Sequence, residues 1–456
     1  MANFNHGRLK KLQKWQQSLV DDEKLPNTQV ILWRNGKWAY NEATGVRNSK
    51  GDPIGKDTIF RFYSMSKPII SLALMQLYEE GKFLLSDPAF LYLGDGWKKK
   101  NMRVYKSGDF KNGYKTVPCN KNINIKHLLT HTSGLTYGFD AKGITNKVDE
   151  IYYKEGTISL KSRRFKEEEE TNLASFCDRL AKAPLMFQPG DHYTYGYNTD
   201  VCGRLVEVLS GMSLDQYLQE NIFGPLGMID TAFWCDDDKV DRFVGKWMPA
   251  GAGFNMAAGP KAGKATGLSD ISGVDGGAGL GGQYSKHRKN PNNRFLSGGG
   301  GLCGTAMDYA RFCEMLMLGG KSPSGHRIIS AKTLEWMTTN HLEKDGAPAL
   351  MDAMAMPGYT ETTAAGTGFG LGFSVSYNPA LSKQIDSKGS FRWGGAASTT
   401  FFCDPYENMF CVMMTALMFR NDFVLPLTPL LKQVVYATID DDLTERNRIH
   451  QLRANL

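Results

Sequence analysis

The chain has 456 residues, of which 41% are hydrophobic and 11% aromatic, so one large or two intertwined domains can form a packed core. The formal net charge of +7 is modest, and the basic clusters at residues 98–100 and 163–164 lack interleaved aromatic side chains, which argues against nucleic-acid binding. Eight scattered cysteines without a Cys-x-x-Cys pair argue against a zinc site or a disulfide framework.

The beginning of the chain predicts an amphipathic helix, because basic residues alternate there with Leu9, Leu12, Trp15 and Leu19. It lacks the continuous apolar segment of a signal peptide, so we expect a cytoplasmic protein. The longest apolar runs, near residues 69–78 and 410–419, are shorter than the ~20 residues that span a bilayer. We therefore predict no transmembrane segment and no membrane partner.

Two strand-like runs follow, at residues 28–33 and 38–40. They are joined by residues 34–37, which contain an Asn-Gly pair, a strong signal for a two-residue hairpin turn. The chain is therefore predicted to open with a helix and then a β-hairpin.

A largely apolar run at residues 69–77 predicts a buried helix that ends at Gly81. Ser64 and Lys67 are expected in its first turn, where residues three apart are neighbours, so the lysine amine could accept the serine proton. The Ser64 N–H would be an unpaired first-turn donor. Because one Ser-x-x-Lys is expected by chance in such a chain, this motif alone does not identify an enzyme.

The middle of the chain reads as helices separated by long loops. Residues 94–121 are predicted to be a surface excursion without regular structure, and residues 173–222 carry helical patterns. The glycine-dense stretch 249–301 is expected to be a functional or mobile region beside a substrate entrance.

The last part of the chain predicts further helices and strands. The helices are expected at 305–318, 330–339 and 425–437, and the strands at 369–376, 390–393, 399–402 and 409–415. Strands at both ends with helices between them suggest one antiparallel sheet with a helical insertion. We expect a sheet domain made of residues 1–80 and 340–456, and a mainly helical domain with long loops made of residues 81–339.

An activated serine needs a proton acceptor, a proton donor for the leaving alcohol, and two N–H groups aimed at the oxyanion. Tyr195 is a candidate proton carrier because it lies in a turn-rich loop before an amphipathic helix, although Tyr193 and Tyr197 compete for this role. Residues 392–396 contain two glycines that would allow an acyl group to approach the backbone closely.

Five motifs in this order resemble the serine β-lactamase-like hydrolases, and more narrowly the class C-related esterases called family VIII carboxylesterases. The resemblance runs from about residue 25 to 440. The motifs are Ser-Met-Ser-Lys-Pro at 64–68, Leu-Leu-Thr-His-Thr-Ser-Gly-Leu at 128–135, Tyr-Gly-Tyr-Asn-Thr-Asp-Val-Cys-Gly-Arg-Leu-Val-Glu at 195–207, Ser-Gly-Gly-Gly-Gly-Leu at 297–302 and Trp-Gly-Gly-Ala at 393–396.

This resemblance implies an α+β, β-lactamase/penicillin-binding-protein-like fold, with an antiparallel sheet flanked by helices and an inserted helical domain. It implies that Ser64 is the nucleophile, Lys67 its activating lysine, and Tyr195 the residue that carries protons to the leaving group and from the deacylating water. The oxyanion hole would be the backbone N–H groups of Ser64 and Ala396.

The chain also departs from the β-lactamases and penicillin-binding proteins. Their third motif begins with a cation that anchors the substrate carboxylate, whereas Trp393 stands here, followed by Gly394 and Gly395. Their middle motif ends in an asparagine that holds the substrate amide, whereas Tyr197 follows Gly196. We therefore predict a small ester substrate, contacted by Tyr197, Trp393, Gly394 and Gly395, and no cofactor or metal.

Three other functions remain open from the sequence. The same acyl-enzyme could pass its acyl group to an alcohol, as in an acyltransferase. Some β-lactamase or DD-peptidase-like activity could remain. An inactive family member could instead serve as a binding or scaffold protein.

Rival motifs are weaker. A Gly-x-Gly-x-x-Gly at residues 277–282 lacks the strand and helix of a nucleotide-binding unit. The chain contains no Gly-x-Ser-x-Gly, which disfavours an α/β-hydrolase nucleophile elbow. His127 and His131 are four residues apart without a His-Glu-x-x-His context, so we expect them to make structural hydrogen bonds.

Overall fold

A computed structural model describes residues 4–138, 147–154, 171–250, 267–271, 283–284, 293–344, 347–348, 365–418, 420, 425–442 and 444. The basic pair at 163–164, the Gly-x-Gly-x-x-Gly at 277–282 and most of the stretch 249–301 lie outside these residues.

Within the described residues, the helices are α1 (His6–Asp21), α2 (Ser66–Glu79), α3 (Phe90–Leu93), α4 (Ile125–Leu129), α5 (Lys147–Lys154), α6 (Leu173–Leu180), α7 (Asn198–Ser210), α8 (Leu214–Leu218), α9 (Gly224–Leu226), α10 (Ala306–Met317), α11 (Ala331–Met337), α12 (Pro379–Ser382) and α13 (Leu427–Tyr436). The strands are β1 (Asn27–Arg34), β2 (Lys37–Gly45), β3 (Ile59–Arg61), β4 (Arg103–Asp109), β5 (Gly113–Pro118), β6 (Thr171–Asn172), β7 (Trp234–Cys235), β8 (Trp247–Pro249), β9 (Leu268–Asp270), β10 (Gln283–Tyr284), β11 (Asn293–Arg294), β12 (Cys303–Thr305), β13 (Glu343–Lys344), β14 (Ala347–Pro348), β15 (Thr367–Phe369), β16 (Ser374–Ser376), β17 (Phe391–Gly394), β18 (Thr400–Asp404) and β19 (Met409–Met414).

The central sheet joins the two ends of the chain, as the sequence predicts. Its seven strands are antiparallel in the order β15-β16-β17-β18-β19-β1-β2. The N-terminal hairpin is attached through β1 and β19, where Gln29 lies opposite Met414 and Arg34 opposite Met409. Every residue of β1 is buried, and helices α1 and α10 both pack against this strand. The expected α+β sheet with flanking helices is therefore present.

The prediction of a single strand at residues 369–376 is wrong, because the structure has two strands there. β15 ends at Phe369 and β16 starts at Ser374, and the two pair antiparallel across a tight turn. The turn contains Gly372 at φ +100°, a conformation that L side chains rarely adopt. A side chain at Gly372 would also collide with Ser71 of α2. The apolar pattern runs through this turn because its residues are buried as well.

The excursion expected to lack regular structure at residues 94–121 contains the hairpin of β4 and β5. Its register shifts between Tyr105 and Ser107, and all of its residues except Val104 are partly or fully exposed. A strand pair that buries little apolar surface leaves no clear alternation in the sequence, which explains why it was missed.

Helix α10 falls in the segment that the sequence assigns to the helical domain, yet it packs against β1 and β19. The residue bounds of the two-domain division stay a prediction. Among the described residues, no helix is both long and apolar enough to cross a membrane.

Candidate active site

Ser64 is the one exception in a continuously buried segment. From Thr58 to Met75 every other residue is buried, whereas Ser64 is half-buried. It lies in a single 3-10 turn, Tyr63–Met65, that leads into α2, so the helix begins two residues later than the sequence suggested. Tyr63 is buried at φ +47°, an unusual conformation for a residue of this size. The fold therefore presents the Ser64 hydroxyl from an otherwise closed surface.

Lys67 reaches this hydroxyl from the first turn of α2. Its side chain is 1% exposed, and Nζ lies 3.1 Å from Ser64 Oγ. Nζ also donates a hydrogen bond to the backbone carbonyl of Gly299 at 2.5 Å. Among the described residues, no carboxylate forms an ion pair with Lys67. The amine is thus within proton-transfer distance of the serine, and both of these hydrogen-bond partners are uncharged oxygens.

Tyr195 is the tyrosine of its loop that lies against Lys67. The Lys67 Nζ is 4.7 Å from the centre of the Tyr195 ring, and the Tyr195 hydroxyl accepts a hydrogen bond from Trp393 Nε1 at 3.3 Å. The competing Tyr193 hydroxyl is buried without a hydrogen-bond partner, and burial raises its pKa well above the ordinary value. The placement favours Tyr195 over Tyr193 as a proton carrier.

Tyr197 is set back from the serine. Its side chain is 1% exposed, and its ring packs against Tyr137 at 4.8 Å and Phe176 at 5.1 Å between ring centres. The neighbouring Gly196 has no room for a side chain, because the backbone at Leu135 lies directly against it. Contact between Tyr197 and a substrate stays a prediction.

The end of β17 packs directly on the turn that carries Ser64. A side chain at Gly395 would collide with the Phe62 carbonyl. The Gly395 N–H donates a hydrogen bond to the Thr399 carbonyl at 2.8 Å. Ala396 packs against the small apolar cluster of Tyr63, Ala397 and Met418, and its own N–H donates to no backbone acceptor within this turn. The N–H of Ser64, at the start of a helix, likewise has no intrahelical acceptor. The N–H groups of Ser64 and Ala396 thus lie on two segments that pack on each other.

Aromatic rings form one wall of the site. Trp393 is half-buried, with its ring centre 5.4 Å from that of Tyr195 and 5.2 Å from that of Phe369. Gly394, the last residue of β17, has the Thr399 carbonyl close behind it. Apolar surface thus stands at the position where the sequence lacks a cation.

The two histidines make structural hydrogen bonds, as predicted. His127 Nδ1 accepts from the Asn124 N–H at 3.2 Å in a cap of α4, and burial lowers the pKa of His127 to about 4. His131 Nδ1 lies 3.1 Å from the Asn198 amide nitrogen. Burial, and next the Lys67 charge, lower the pKa of His131 well below its ordinary value. An amide donor and a lowered pKa both favour a neutral imidazole beside Tyr195.

The sequence reasoning missed the role of the Gly299 carbonyl and of Tyr137, whose ring centre is 5.6 Å from Lys67 Nζ. Gly299 lies in the Ser-Gly-Gly-Gly-Gly-Leu motif, and Tyr137 follows the Thr-His-Thr-Ser-Gly-Leu motif. Both motifs served only to establish the resemblance, although each lies within two residues of a contact to the lysine.

A family model described as beta-lactamase matches residues 12–436. The chain belongs to the beta-lactamase family. Among similar proteins, Protein Rv1367c of Mycobacterium tuberculosis is 30% identical over 404 residues, which covers 86% of each chain. Esterase EstB of Burkholderia gladioli is 27% identical over 417 residues, which covers 91% of this chain and 92% of that protein.

The fold also matches solved structures. Unliganded Simvastatin Synthase (LovD) from Aspergillus terreus, as its selenomethionyl derivative, has a TM-score of 0.74 at 24% identity, covering 95% of this chain and 99% of that one. The resemblance and the fold expected from the five motifs are thereby confirmed. This member of the beta-lactamase family carries an indole, Trp393, at the start of its third motif.

Proposed function

We propose that this protein is a serine carboxylesterase that cleaves small ester substrates through an acyl-enzyme on Ser64. The observation that carries the proposal is the half-buried Ser64 hydroxyl, 3.1 Å from the buried amine of Lys67. A serine is a weak nucleophile until a neighbouring base takes its proton, and this pair supplies both groups.

In the proposed acylation, the neutral Lys67 amine takes the Ser64 proton while Oγ attacks the acyl carbon. The carbonyl oxygen becomes an oxyanion held by the N–H groups of Ser64 and Ala396. As the intermediate collapses, the bond to the alkoxide breaks and the Tyr195 hydroxyl gives that oxygen a proton. Lys67 returns a proton to the Tyr195 phenolate, which restores both groups.

In the proposed deacylation, a water molecule replaces the alcohol. Tyr195 and Lys67 take one proton from the water as its oxygen attacks the acyl carbon. The Ser64 oxygen leaves, regains a proton and releases the carboxylic acid. The hydrogen bond from Trp393 Nε1 fixes the Tyr195 hydroxyl during these transfers.

The aromatic wall supports an ester rather than an anionic lactam as substrate. Trp393, Phe369 and Tyr195 offer apolar surface, and neither Trp393 nor Tyr197 can supply the charge or amide that would hold a lactam carboxylate or peptide. Trp393, Gly394 and Gly395 would contact the acyl group of the substrate. Tyr197 would form part of the same pocket, with its ring packed against that of Tyr137. The relative named as an esterase agrees with this choice. Because the eight cysteines are all buried and free, we place the protein in the reducing cytoplasm.

The test is covalent labelling with a fluorophosphonate, together with turnover of a p-nitrophenyl ester. We expect one adduct on Ser64, loss of adduct and turnover in Ser64→Ala, and retention of both in Ser66→Ala. Ser66 is a matched control because its hydroxyl is buried and accepts from the Leu302 N–H at 3.1 Å. An unlabelled Ser64, with full turnover in Ser64→Ala, would refute the mechanism, and an inert protein would favour a binding or scaffold role. Nitrocefin turnover comparable to ester turnover would favour a β-lactamase.

A second candidate is transfer of the acyl group to an alcohol. The same aromatic wall that suits an ester would hold the apolar body of an acceptor alcohol and exclude water. Product analysis with a competing alcohol separates the two functions. New ester in place of free acid would identify an acyltransferase, and free acid alone an esterase.

A further inference from the structure

Behind Lys67 lies a buried carboxylate that the proposed mechanism does not use. Asp200 is 1% exposed and belongs to the first turn of α7. Its Oδ1 accepts a hydrogen bond from Ser297 Oγ at 2.6 Å and from the Gly299 N–H at 3.2 Å. Gly299 is the residue whose carbonyl accepts the hydrogen bond from Lys67. One residue therefore connects the carboxylate to the catalytic amine.

The loop between them has little freedom to shift. A side chain at Gly299 would collide with the Asp200 carboxylate, and one at Gly298 would collide with the Thr199 carbonyl. Gly298 also lies close to Ile70 of α2, so the loop is held between α2 and α7. Helices α2 and α7 pack on each other, and Asp200 holds the Gly299 N–H, so the Gly299 carbonyl is positioned in part by Asp200.

Within the part of the chain that the structure describes, Asp200 and Lys67 form no ion pair, although Gly299 contacts both. The carboxylate accepts from a hydroxyl and an N–H, both uncharged donors, and its place in the first turn of α7 suits a negative charge. A carboxylate in direct contact would favour the ammonium form, in which Lys67 cannot act as a base. Because Gly299 lies between them, the Asp200 charge acts on Lys67 only at longer range. The Gly299 carbonyl orients the Lys67 amine through its hydrogen bond.

The titratable and charged groups around this pair include Cys177 of α6, Cys202, Arg204 and Glu207 of α7, His131, Tyr137 and Tyr195. Burial raises the pKa of both thiols and lowers that of His131, so these three are neutral near pH 7. Asp200 itself contributes to the raised pKa of both thiols. These three groups therefore add no charge beside Lys67 and Asp200.

We propose that Asp200 is a positioning residue for Lys67, which holds the Gly299 carbonyl in place and sets the electrostatic field in which the Ser64–Lys67 proton transfer occurs. The inference rests on the proposed role of Lys67 as the base. The competing explanation is that Asp200 only stabilises the start of α7, as acidic residues in a first turn do. The two differ in whether the pH response of acylation changes.

The experiment measures the rate of fluorophosphonate labelling of Ser64 against pH, with the melting temperature recorded for each variant. Asp200→Asn keeps an acceptor oxygen but removes the charge, Asp200→Ala removes both, and Ser297→Ala removes one donor to the carboxylate. The matched control is Asp308→Asn. Asp308 is 2% exposed, lies in the first turn of α10, and accepts from the Asp230 N–H and the Thr231 hydroxyl, outside the catalytic residues. It differs from Asp200 in one respect, since Arg311 lies 3.6 Å from its second carboxylate oxygen.

We expect Asp200→Asn to keep a plateau rate within about tenfold of the parent and to shift the half-maximal pH downward, because the variant lacks the buried negative charge that favours an ammonium. We expect Asp200→Ala to lower the plateau about 100-fold, since the carbonyl loses its anchor. Ser297→Ala should lie between the parent and Asp200→Ala. Asp308→Asn should lower the melting temperature and leave both kinetic quantities unchanged.

Two results would overturn the inference alone: a labelled parent protein with the same plateau and half-maximal pH in both Asp200 variants, or a shift in Asp308→Asn equal to that in Asp200→Asn. A parent protein that is never labelled on Ser64 would overturn the proposed function, and this inference with it. If Asp200→Ala does not fold, Asp200→Asn and Ser297→Ala still decide between the two explanations.

Discussion

Two lysines of this chain are equally buried and have opposite surroundings. Lys67 and Lys432 are each 1% exposed. The Lys67 amine contacts the Ser64 hydroxyl and the Gly299 carbonyl. The Lys432 amine forms an ion pair with Asp386 and donates to Gln384 Oε1 at 3.0 Å. Burial is therefore common to both, and the partners differ.

This difference in partners suits Lys67 to proton transfer and Lys432 to stabilising the fold. Burial, and next Arg392, lower the pKa of Lys432 to about 8, and Asp386 opposes this shift. Helix α13 is thereby fixed to the loop that carries Asp386, and Tyr436 of the same helix hydrogen-bonds to Asp404. Lys67 has no such carboxylate partner among the described residues, which leaves its proton exchangeable with Ser64.

The same substitution at both lysines tests this contrast most strongly. We expect Lys67→Met to lower the labelling rate of Ser64 by about 10³-fold or more, because the serine loses its base. The melting temperature should change little, since uncharged partners remain and methionine fills a similar volume. Labelling kinetics and calorimetry check this. Retention of parental labelling would contradict the role of Lys67.

Lys432→Met should show the reverse pattern. Removing one partner of a buried ion pair leaves an uncompensated charge on Asp386, so we expect a loss of about 3–5 kcal/mol in the free energy of unfolding. Labelling per folded molecule should remain parental. Adding Asp386→Asn to Lys432→Met should restore part of the loss, because the unpaired charge is then absent. Denaturant unfolding of the single and double variants measures both effects.

Acid should lower the stability of the protein through His127, which lies in the cap of α4. The pKa of His127 in the folded protein is about 4, below the ordinary 6.5 of the unfolded chain. Between these two values the unfolded chain binds more protons, so stability falls as the pH falls from 6.5 to 4, by up to about 3 kcal/mol. His127→Gln should flatten this part of the stability profile. A parental slope in that variant would assign the acid sensitivity to other groups.

Local patterns predicted most of the architecture. The Asn-Gly turn indicated the first hairpin, and alternation with turn residues indicated β17 to β19. The break between β15 and β16 was missed because its turn is as buried as its strands, and the hairpin of β4 and β5 because it is exposed. A periodic hydrophobic pattern appears in the sequence only where one face of an element is buried and the other is exposed. Neither of these two segments has that difference between its faces.

The part of the site formed by reactive side chains close together in the sequence was predictable. The part formed by backbone groups far away in the sequence was not. Ser64 and Lys67 are three residues apart, so helical geometry alone brings them together. Gly299, whose carbonyl accepts a hydrogen bond from the Lys67 amine, is 232 residues further along the chain. Every residue has a backbone carbonyl, so the amino-acid sequence does not indicate which one makes this contact. The link from Gly299 to Asp200 depends on the same tertiary packing.

The smallest expected effect tests whether the partner alone distinguishes the two lysines. Ser64→Asp would give Lys67 a carboxylate about one bond length beyond the present Oγ, which lies 3.1 Å from Nζ. We expect no labelling or turnover, and a free energy of unfolding about 1 kcal/mol above that of Ser64→Ala, because a partly buried, charge-assisted hydrogen bond replaces an apolar contact. Calorimetry of the two variants side by side measures this difference. A less stable Ser64→Asp would mean that the surroundings of Lys67 oppose a fixed ammonium, and that its packing, as well as its partners, sets it apart from Lys432.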